Sequence, residues 1–160
     1  MKTIALFGGS FDPPHIGHKA IVEALQKLEY IDKIIILPTF LNPFKSKSFA
    51  SADTRLALVT EMFKEFEDVE TSDFEVKQET KVASIKSVKH FLKFYKKIYL
   101  VIGADILVSL HHWQDYEELK DLVSFVVATR DNIDIPKKYI TIKIDEQISS
   151  TEIRNAKKNR

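Results

Sequence analysis

Residues 8 to 18 read Gly8-Gly-Ser-Phe-Asp-Pro-Pro-His-Ile-Gly-His18 and decide the fold. They follow a short apolar run, Thr3 to Phe7, that is typical of a buried strand. They lead into Gly17 to Leu28, where apolar residues recur every three or four positions, as on one face of a helix. Glycines between a strand and a helix N-terminus let the backbone approach an anion closely, so this turn predicts a phosphate site.

The pattern of strand followed by helix repeats along the chain. Further strands are predicted at Lys33 to Leu37, Val69 to Val76 (short, with a loop), Ile98 to Ile102, Val123 to Thr129 and, at an edge, Ile140 to Ile144. Asp53 and Ser84 are predicted N-caps of two intervening helices. Strands separated by helices form right-handed crossovers, so we expect an α/β fold with a doubly wound parallel sheet. One domain over residues 1–160 is predicted.

Composition limits the classes of function. The 160 residues are 44% apolar, and 24 basic against 23 acidic side chains give a net charge of +1. Disordered polyelectrolytes are excluded, and the overall charge gives no reason to expect nucleic-acid binding. The chain has no cysteine, which excludes disulfide scaffolds and thiolate metal sites and fits a cytoplasmic protein. Its apolar runs are far shorter than the ~20 residues of a membrane-spanning helix, so no membrane partner is expected.

Two histidines follow the glycines. His15 and His18 are three residues apart at a predicted helix start, so both imidazoles can point toward the same anion. There they can donate hydrogen bonds to charge that develops on a phosphoryl group, which makes them the candidate catalytic residues. The stretch lacks the Walker Gly-Lys-Ser/Thr and the G-x-G-x-x-G pattern, so P-loop kinases and dehydrogenases are not indicated.

A second candidate phosphate site lies near the C-terminus. Ile148-Ser-Ser-Thr-Glu-Ile-Arg154 is typical of a helix start, with Ser149 or Ser150 as the cap. Such a helix end can bind polyphosphate through its N–H groups and hydroxyls, and Arg154 adds a forked cation. An ordinary capped helix explains the same residues, and both interpretations stay open on this segment alone.

These segments resemble known motifs. Gly9 to His18 matches the G-x-F-D-P-x-H-x-G-H signature of the nucleotidylyltransferase superfamily without a mismatch, and Ile148 to Arg154 resembles its I-S-S-T-x-I-R motif. Ile102 to Trp113 is similar to the G-A-D…W stretch of bacterial nicotinate-mononucleotide adenylyltransferases, and Val126 to Arg130 resembles their strand ending in Arg. The resemblance runs from residue 3 to residue 154 and implies a Rossmann-like nucleotidylyltransferase fold.

The resemblance also implies a reaction. ATP would give its AMP to nicotinate mononucleotide, forming nicotinate adenine dinucleotide and pyrophosphate in NAD biosynthesis. The acceptor phosphate would attack the α-phosphorus directly, so catalysis would consist of positioning and charge stabilisation. His15 and His18 would contact the reacting phosphates. Mg²⁺ would bridge the polyphosphate, mostly through phosphate oxygens and water rather than protein ligands.

By the same resemblance, residues divide between the two substrates. Those expected to bind ATP are Gly8, Gly9, Ser10, Phe11, Lys45, Gly103, Asp105, Ser149, Ser150, Thr151 and Arg154. Those expected to bind nicotinate mononucleotide are Ser84, Trp113 and Arg130, with Trp113 stacked on the pyridine ring. Simpler roles stay open for three of them: Lys45 as a solvated lysine, Asp105 as a helix cap and Trp113 as a packing aromatic.

The chain departs from the family pattern in two places. Phe44 stands where the family usually has the histidine of P-H-K, and Val82 to Ser87 replaces an S-Y-T-x-D-T stretch. Phosphopantetheine adenylyltransferase shares the superfamily and nearly this length, although it usually carries Thr where His15 stands. A nucleotide-binding module without turnover is a further alternative. The oligomeric state, monomer or homo-oligomer, stays open.

Overall fold

A computed structural model describes residues 1–41 and 50–145. In this part of the chain, parallel strands form one sheet in the order β3-β2-β1-β4-β5-β6. The strands are β1 (Thr3–Gly9), β2 (Lys33–Pro38), β3 (Val69–Thr71), β4 (Lys97–Gly103), β5 (Ser124–Ala128) and β6 (Ile140–Ile142). The predicted doubly wound parallel sheet is confirmed, with β6 at its edge.

Helices cover both faces of the sheet. They are α1 (Ile16–Gln26), α2 (Ala52–Phe63), α3 (Phe74–Lys77), α4 (Ser84–Phe91) and α5 (Tyr116–Leu122), with 3-10 turns at Ala104–Ile106 and Leu110–His112. Residues of β1 alternate between two buried clusters. Ile4 and Leu6 pack with residues of α4 and α5, whereas Ala5 and Phe7 pack with residues of α1 and α2. None of these helices combines the length and apolar composition needed to cross a membrane.

The strand order places a crevice beside β1. This strand pairs with β2 on one side and with β4 on the other, where Phe7 is aligned with Val101. The chain therefore leaves the carboxyl ends of β1 and β4 toward opposite faces of the sheet. Ligands of open α/β sheets bind where the strand order reverses in this way. The glycines that end β1 and β4 both lie at this point.

Several local predictions need correction. Ser51, not Asp53, caps α2, because the Ser51 hydroxyl accepts a hydrogen bond from the N–H of Thr54 at 3.1 Å. The prediction of Ser84 as a cap is also wrong: Ala83 is the N-cap residue of α4, and Ser84 is its first helical residue. Residues 69–76, predicted as a strand and a loop, contain the three residues of β3 and the start of α3.

Arg55, in the first turn of α2, joins three loops at the carboxyl edge of the sheet. Its side chain is 0% exposed. The guanidinium donates hydrogen bonds to four backbone carbonyls: Ser10 at 2.8 Å, Thr39 at 2.8 Å, Phe40 at 2.6 Å and Ala50 at 3.2 Å. Burial lowers the pKa of Arg55, and the charge of Asp12 acts in the opposite direction. An arginine stays charged in proteins, so this is a permanent buried cation satisfied by carbonyl oxygens.

Replacing Arg55 by lysine tests this contact. A lysine keeps the charge but lacks the planar fork, so several buried carbonyls lose their donor. We expect Arg55→Lys to lower the free energy of unfolding by about 3 kcal/mol in urea denaturation. Lys64→Ala, at the exposed opposite end of the same helix, should change it by less than about 0.5 kcal/mol. Equal unfolding midpoints for Arg55→Lys and the unchanged protein would contradict the role given to the guanidinium.

Candidate active site

The two histidines of the first motif form the start of α1. His15 is the N-cap residue, and its Nδ1 accepts a hydrogen bond from the N–H of Gly17 at 3.0 Å. The Nδ1 of His18 accepts in return from the N–H of His15 at 3.1 Å. The two rings stack with centroids 3.9 Å apart and an angle of 25° between their planes. The structure therefore brings the two predicted catalytic side chains together.

These hydrogen bonds fix the chemistry of the neutral rings. A neutral imidazole that accepts at Nδ1 carries its proton at Nε2. Burial, together with the smaller effects of the charges of His15 and Arg130, lowers the pKa of His18 from 6.5 to about 3. His18 is therefore neutral at physiological pH and offers one N–H donor, at Nε2. A donor of this kind can bind a phosphoryl oxygen without taking a proton from solvent.

The turn before the helix is held by aromatic packing. Phe11 is 2% exposed and adopts a left-handed backbone conformation with φ of 49°. Its ring lies 4.7 Å from that of His18 and 5.3 Å from that of Phe7, measured between centroids. The same ring covers Gly9, where an added Cβ would lie 3.3 Å from it. A side chain at position 9 would therefore require this ring, which also contacts His18, to move slightly.

A cleft of about 460 Å³ opens at the crevice between β1 and β4. Five of the predicted site residues line it: Gly8, Gly9, Ser84, Gly103 and Trp113. Asp105 follows directly after the cleft wall, and its Oδ1 would lie 2.6 Å from a Cβ added at Gly103. With a larger residue at position 103, the Asp105 side chain would have to leave this position. Asp105 itself is exposed.

The other predicted site residues lie outside the cleft wall or outside the described residues. Arg130, past the end of β5, is exposed and forms an ion pair with Asp131 at 3.5 Å; it lies near enough to His18 to affect its pKa. The backbone carbonyl of Ser10 accepts from Arg55. Five predicted residues fall in parts of the chain that the structure does not describe: Lys45, Ser149, Ser150, Thr151 and Arg154.

The cleft also contains residues that the sequence analysis did not single out. Thr39 follows β2; its N–H donates to the carbonyl of Gly9 at 2.9 Å and its carbonyl accepts from Arg55. Both the Thr39 hydroxyl and the indole N–H of Trp113 are buried, and neither has a hydrogen-bond partner within residues 1–41 and 50–145. Glu75 lines the cleft as well. Only tertiary contacts reveal Thr39 and Glu75, because their sequence neighbourhoods carry no motif.

Comparison with known proteins gives the family. The cytidylyltransferase-like family matches residues 6–156 of this chain. A Sulfurimonas denitrificans protein named "Probable nicotinate-nucleotide adenylyltransferase" is 61% identical over 154 residues, which are 96% of this chain and 85% of that protein. A protein of the same name from Campylobacter jejuni serotype O:6 is 52% identical over 155 residues, covering 95% of this chain and 85% of that protein.

The chain belongs to the cytidylyltransferase-like family and, within it, to the nicotinate-nucleotide adenylyltransferases. A solved structure agrees in fold with this member of the nicotinate-nucleotide adenylyltransferases. It is the nicotinic acid mononucleotide adenylyltransferase of Plasmodium falciparum in complex with NaAD, with a TM-score of 0.80 and 23% identity over 97% of this chain and 83% of that one. The predicted Rossmann-like nucleotidylyltransferase fold is thereby confirmed.

The neutral state of His18 can be measured. Because its pKa is about 3, the ring nitrogens of His18 should show no titration between pH 8 and 5 in ¹⁵N-detected NMR. In the protein unfolded by urea, the same signals should titrate near the ordinary value of 6.5. The folded state binds fewer protons than the unfolded state in this interval, so this histidine stabilises the fold above pH 6.5 and progressively less as the pH falls. A midpoint above pH 6 in the folded protein would refute the assignment.

Proposed function

We propose that this protein transfers the adenylyl group of ATP to nicotinate mononucleotide in the cytoplasm, forming nicotinate adenine dinucleotide. An oxygen of the acceptor's 5′-phosphate attacks the α-phosphorus of ATP. The bond from that phosphorus to the bridging oxygen breaks, and pyrophosphate leaves. The reaction is the one for which the relatives that share 61% and 52% of its residues are named.

The observation that carries this proposal is the stacked pair of imidazoles at the start of α1. Each ring accepts a backbone N–H at Nδ1, so a neutral ring carries its donor proton at Nε2. His15 and His18 would donate to the α-phosphoryl oxygens, where negative charge increases in the transition state. Donors that are already oriented need no reorganisation during the reaction.

The nucleotide would lie across the turn after β1. Gly8 and Gly9 allow the phosphates to approach the backbone, and the N-terminus of α1 adds the positive end of its dipole. Ser10 and Phe11 complete the same turn, and Asp105 would accept from the ribose hydroxyls. For Lys45, Ser149, Ser150, Thr151 and Arg154, the assignment to the ATP polyphosphate rests on the motif resemblance.

The pyridine ring would occupy the cleft beside Trp113. The first turn of α4 forms part of this wall through Ala83 and Ser84. The methyl side chain of Ala83 cannot accept a hydrogen bond and so cannot cap the helix. The first N–H groups of α4 are therefore available to a carboxylate. We assign Ser84 and Trp113 to the ring and Arg130 to the phosphate of the same substrate, since its charge acts on His18.

Mg²⁺ is proposed to enter with ATP. When bound, it would neutralise charge on the polyphosphate and the departing pyrophosphate. Within residues 1–41 and 50–145, no three or more His, Asp or Glu side chains are grouped so as to hold an ion. The ligands expected from this part of the chain are therefore few, and phosphate oxygens and water would supply the rest.

Product identification tests the function. The protein is incubated with Mg-ATP and, separately, nicotinate mononucleotide, nicotinamide mononucleotide or phosphopantetheine, and products are identified by mass together with pyrophosphate release. We expect nicotinate adenine dinucleotide as the main product. If adenylylated phosphopantetheine forms instead, the acceptor proposed here is wrong, while the proposed mechanism of adenylyl transfer is retained. No product from any acceptor, despite ATP binding, would identify a binding module instead.

Substitutions can separate the proposed catalytic role of the histidines from their role in starting α1. Asparagine is a favoured N-cap residue but has no donor in the position of Nε2, so His15→Asn keeps the cap and removes the proposed contact. We expect His15→Asn and His18→Ala to lower kcat/KM by about 10²-fold or more. His111→Ala, an exposed histidine outside the cleft wall, is the matched control and should retain full activity. Near-normal kcat/KM in His15→Asn would exclude phosphate binding by that ring.

The Thr39 hydroxyl gives a further expectation. It is buried on the cleft wall without a partner among the described residues, so a bound substrate can supply one. Thr39→Val keeps the shape and removes the hydroxyl, and we expect KM to rise about five- to tenfold for one of the two substrates. Thermal stability should stay the same or increase. A lowered melting temperature with unchanged KM would instead assign the hydroxyl to the fold.

A further inference from the structure

A buried carboxyl group shares the cleft wall with Trp113. Glu75 lies in α3, is 5% exposed and lines the cleft together with Val82, Ala83 and Ser84. Its Oε2 accepts a hydrogen bond from the Ser87 hydroxyl at 2.6 Å, a contact that is itself buried. The pair therefore links α3 to the first turns of α4 on the side where the proposed ring site lies.

The environment of Glu75 disfavours its charged form. Burial raises its pKa from 4.5 to about 7, and the hydrogen bond from Ser87 limits the rise by stabilising the carboxylate. At neutral pH, neutral and charged forms are therefore both populated. A carboxyl group needed only for packing would gain nothing from this position, since a buried charge is costly without a cationic partner.

Other titratable groups near Glu75 lie on each neighbouring element. Asp73 and Lys77, at the ends of α3, form an ion pair with each other at 3.2 Å. His90 of α4 stacks on Phe74 with ring centroids 3.8 Å apart. His112, after β4, lies on the cleft wall. Nicotinate and nicotinamide mononucleotide have nearly the same shape and the same phosphate charge. A titratable group that does not contact the ring substituent therefore changes the affinity for both nucleotides by nearly the same factor.

We propose that Glu75 is a specificity-determining residue that makes the preference for an acidic over an amide pyridine ring depend on pH. The proposal rests on the proposed function, because it places the ring between Trp113 and the first turn of α4. A protonated Glu75 tolerates a ring carboxylate beside it, whereas an ionised Glu75 repels it. Both nucleotides carry the same positive charge on the ribosylated ring nitrogen, so that charge cancels in the comparison, and the amide substituent adds no charge that an ionised Glu75 would repel.

The sign of the effect follows from linkage. As the pH rises through the range where Glu75 ionises, binding of the acidic nucleotide requires uptake of a proton, and binding of the amide nucleotide does not. The preference for nicotinate over nicotinamide mononucleotide should therefore fall as the pH rises. For like charges within one cleft we expect a fall on the order of tenfold between pH 6 and pH 9.

The experiment measures a ratio. Dissociation constants of nicotinate and nicotinamide mononucleotides are determined by calorimetry from pH 6 to pH 9, together with kcat/KM for both. The two ligands carry the same phosphate and the same ring cation, so titration of that phosphate cancels in the ratio. Glu75→Gln should abolish the pH dependence of the ratio, and Glu79→Gln, an exposed acid four residues later, should leave it unchanged.

A second variant separates this role from packing. Ser87→Ala removes the hydroxyl that stabilises the carboxylate, so the fall in preference should move to higher pH. A ratio that does not vary with pH in the unaltered protein, or the same fall in Glu75→Gln, would overturn the inference. Binding that follows the prediction without any adenylylated product would leave the inference standing and refute the proposed function. Failure of both nucleotides to bind would refute both.

Discussion

The hydrogen bonds of the Arg55 guanidinium are the constraint on which the geometry of the site depends. They reach the carbonyl of Ser10 in the phosphate turn, the carbonyls of Thr39 and Phe40 after β2, and that of Ala50 before α2. These segments are distant in sequence, and the sheet alone does not fix their mutual positions. A rigid planar cation with several donors satisfies them together, so the loops at the carboxyl edge share one reference point.

The site places a neutral donor, the imidazole of His18, on a framework that contains fixed charge. Burial keeps His18 neutral, while Arg55, which contacts the phosphate turn through the Ser10 carbonyl, stays charged. Neutral imidazoles can bind phosphoryl oxygens over a wide pH range without a change in their own protonation. The proposed reaction moves negative charge from the acceptor phosphate to the departing pyrophosphate. Oriented N–H groups suit that movement, because their positions need not change as the charge develops.

The extent of prediction from sequence follows the range of the interactions involved. The strands and the phosphate turn depend on local patterns, so β1, β4 and the pairing of His15 with His18 could be anticipated. Arg55 could not, since a single arginine in a helical pattern looks solvated until its carbonyl partners are in place. Glu75 was hidden for the same reason: the segment that carries it was predicted as strand and loop, and its burial depends on contact with α4.

Helix caps show the limit most clearly. Ser51 and Asp53 are both good capping residues, and the structure has the cap at Ser51, next to the Ala50 carbonyl that Arg55 contacts. At α4, Ser84 was the better candidate on residue type, yet the cap position falls on Ala83. The helix then starts without a capping side chain beside a cleft that is proposed to take a carboxylate. The residue-type preference for the N-cap position is not followed at this helix end, where a carboxylate of the ligand is proposed to accept from the first N–H groups.

The N-cap of α1 separates folding from chemistry at one residue. Histidine is not among the residues that helix starts prefer, and a Ser, Thr, Asp or Asn side chain would accept the same N–H bond that His15 accepts from Gly17. Substitution of His15 by one of these residues is therefore expected to cost the fold little stability. A lineage could exchange this imidazole for a hydroxyl and inherit the same sheet, turn and helix. The fold leaves the chemistry of its first turn open to divergence.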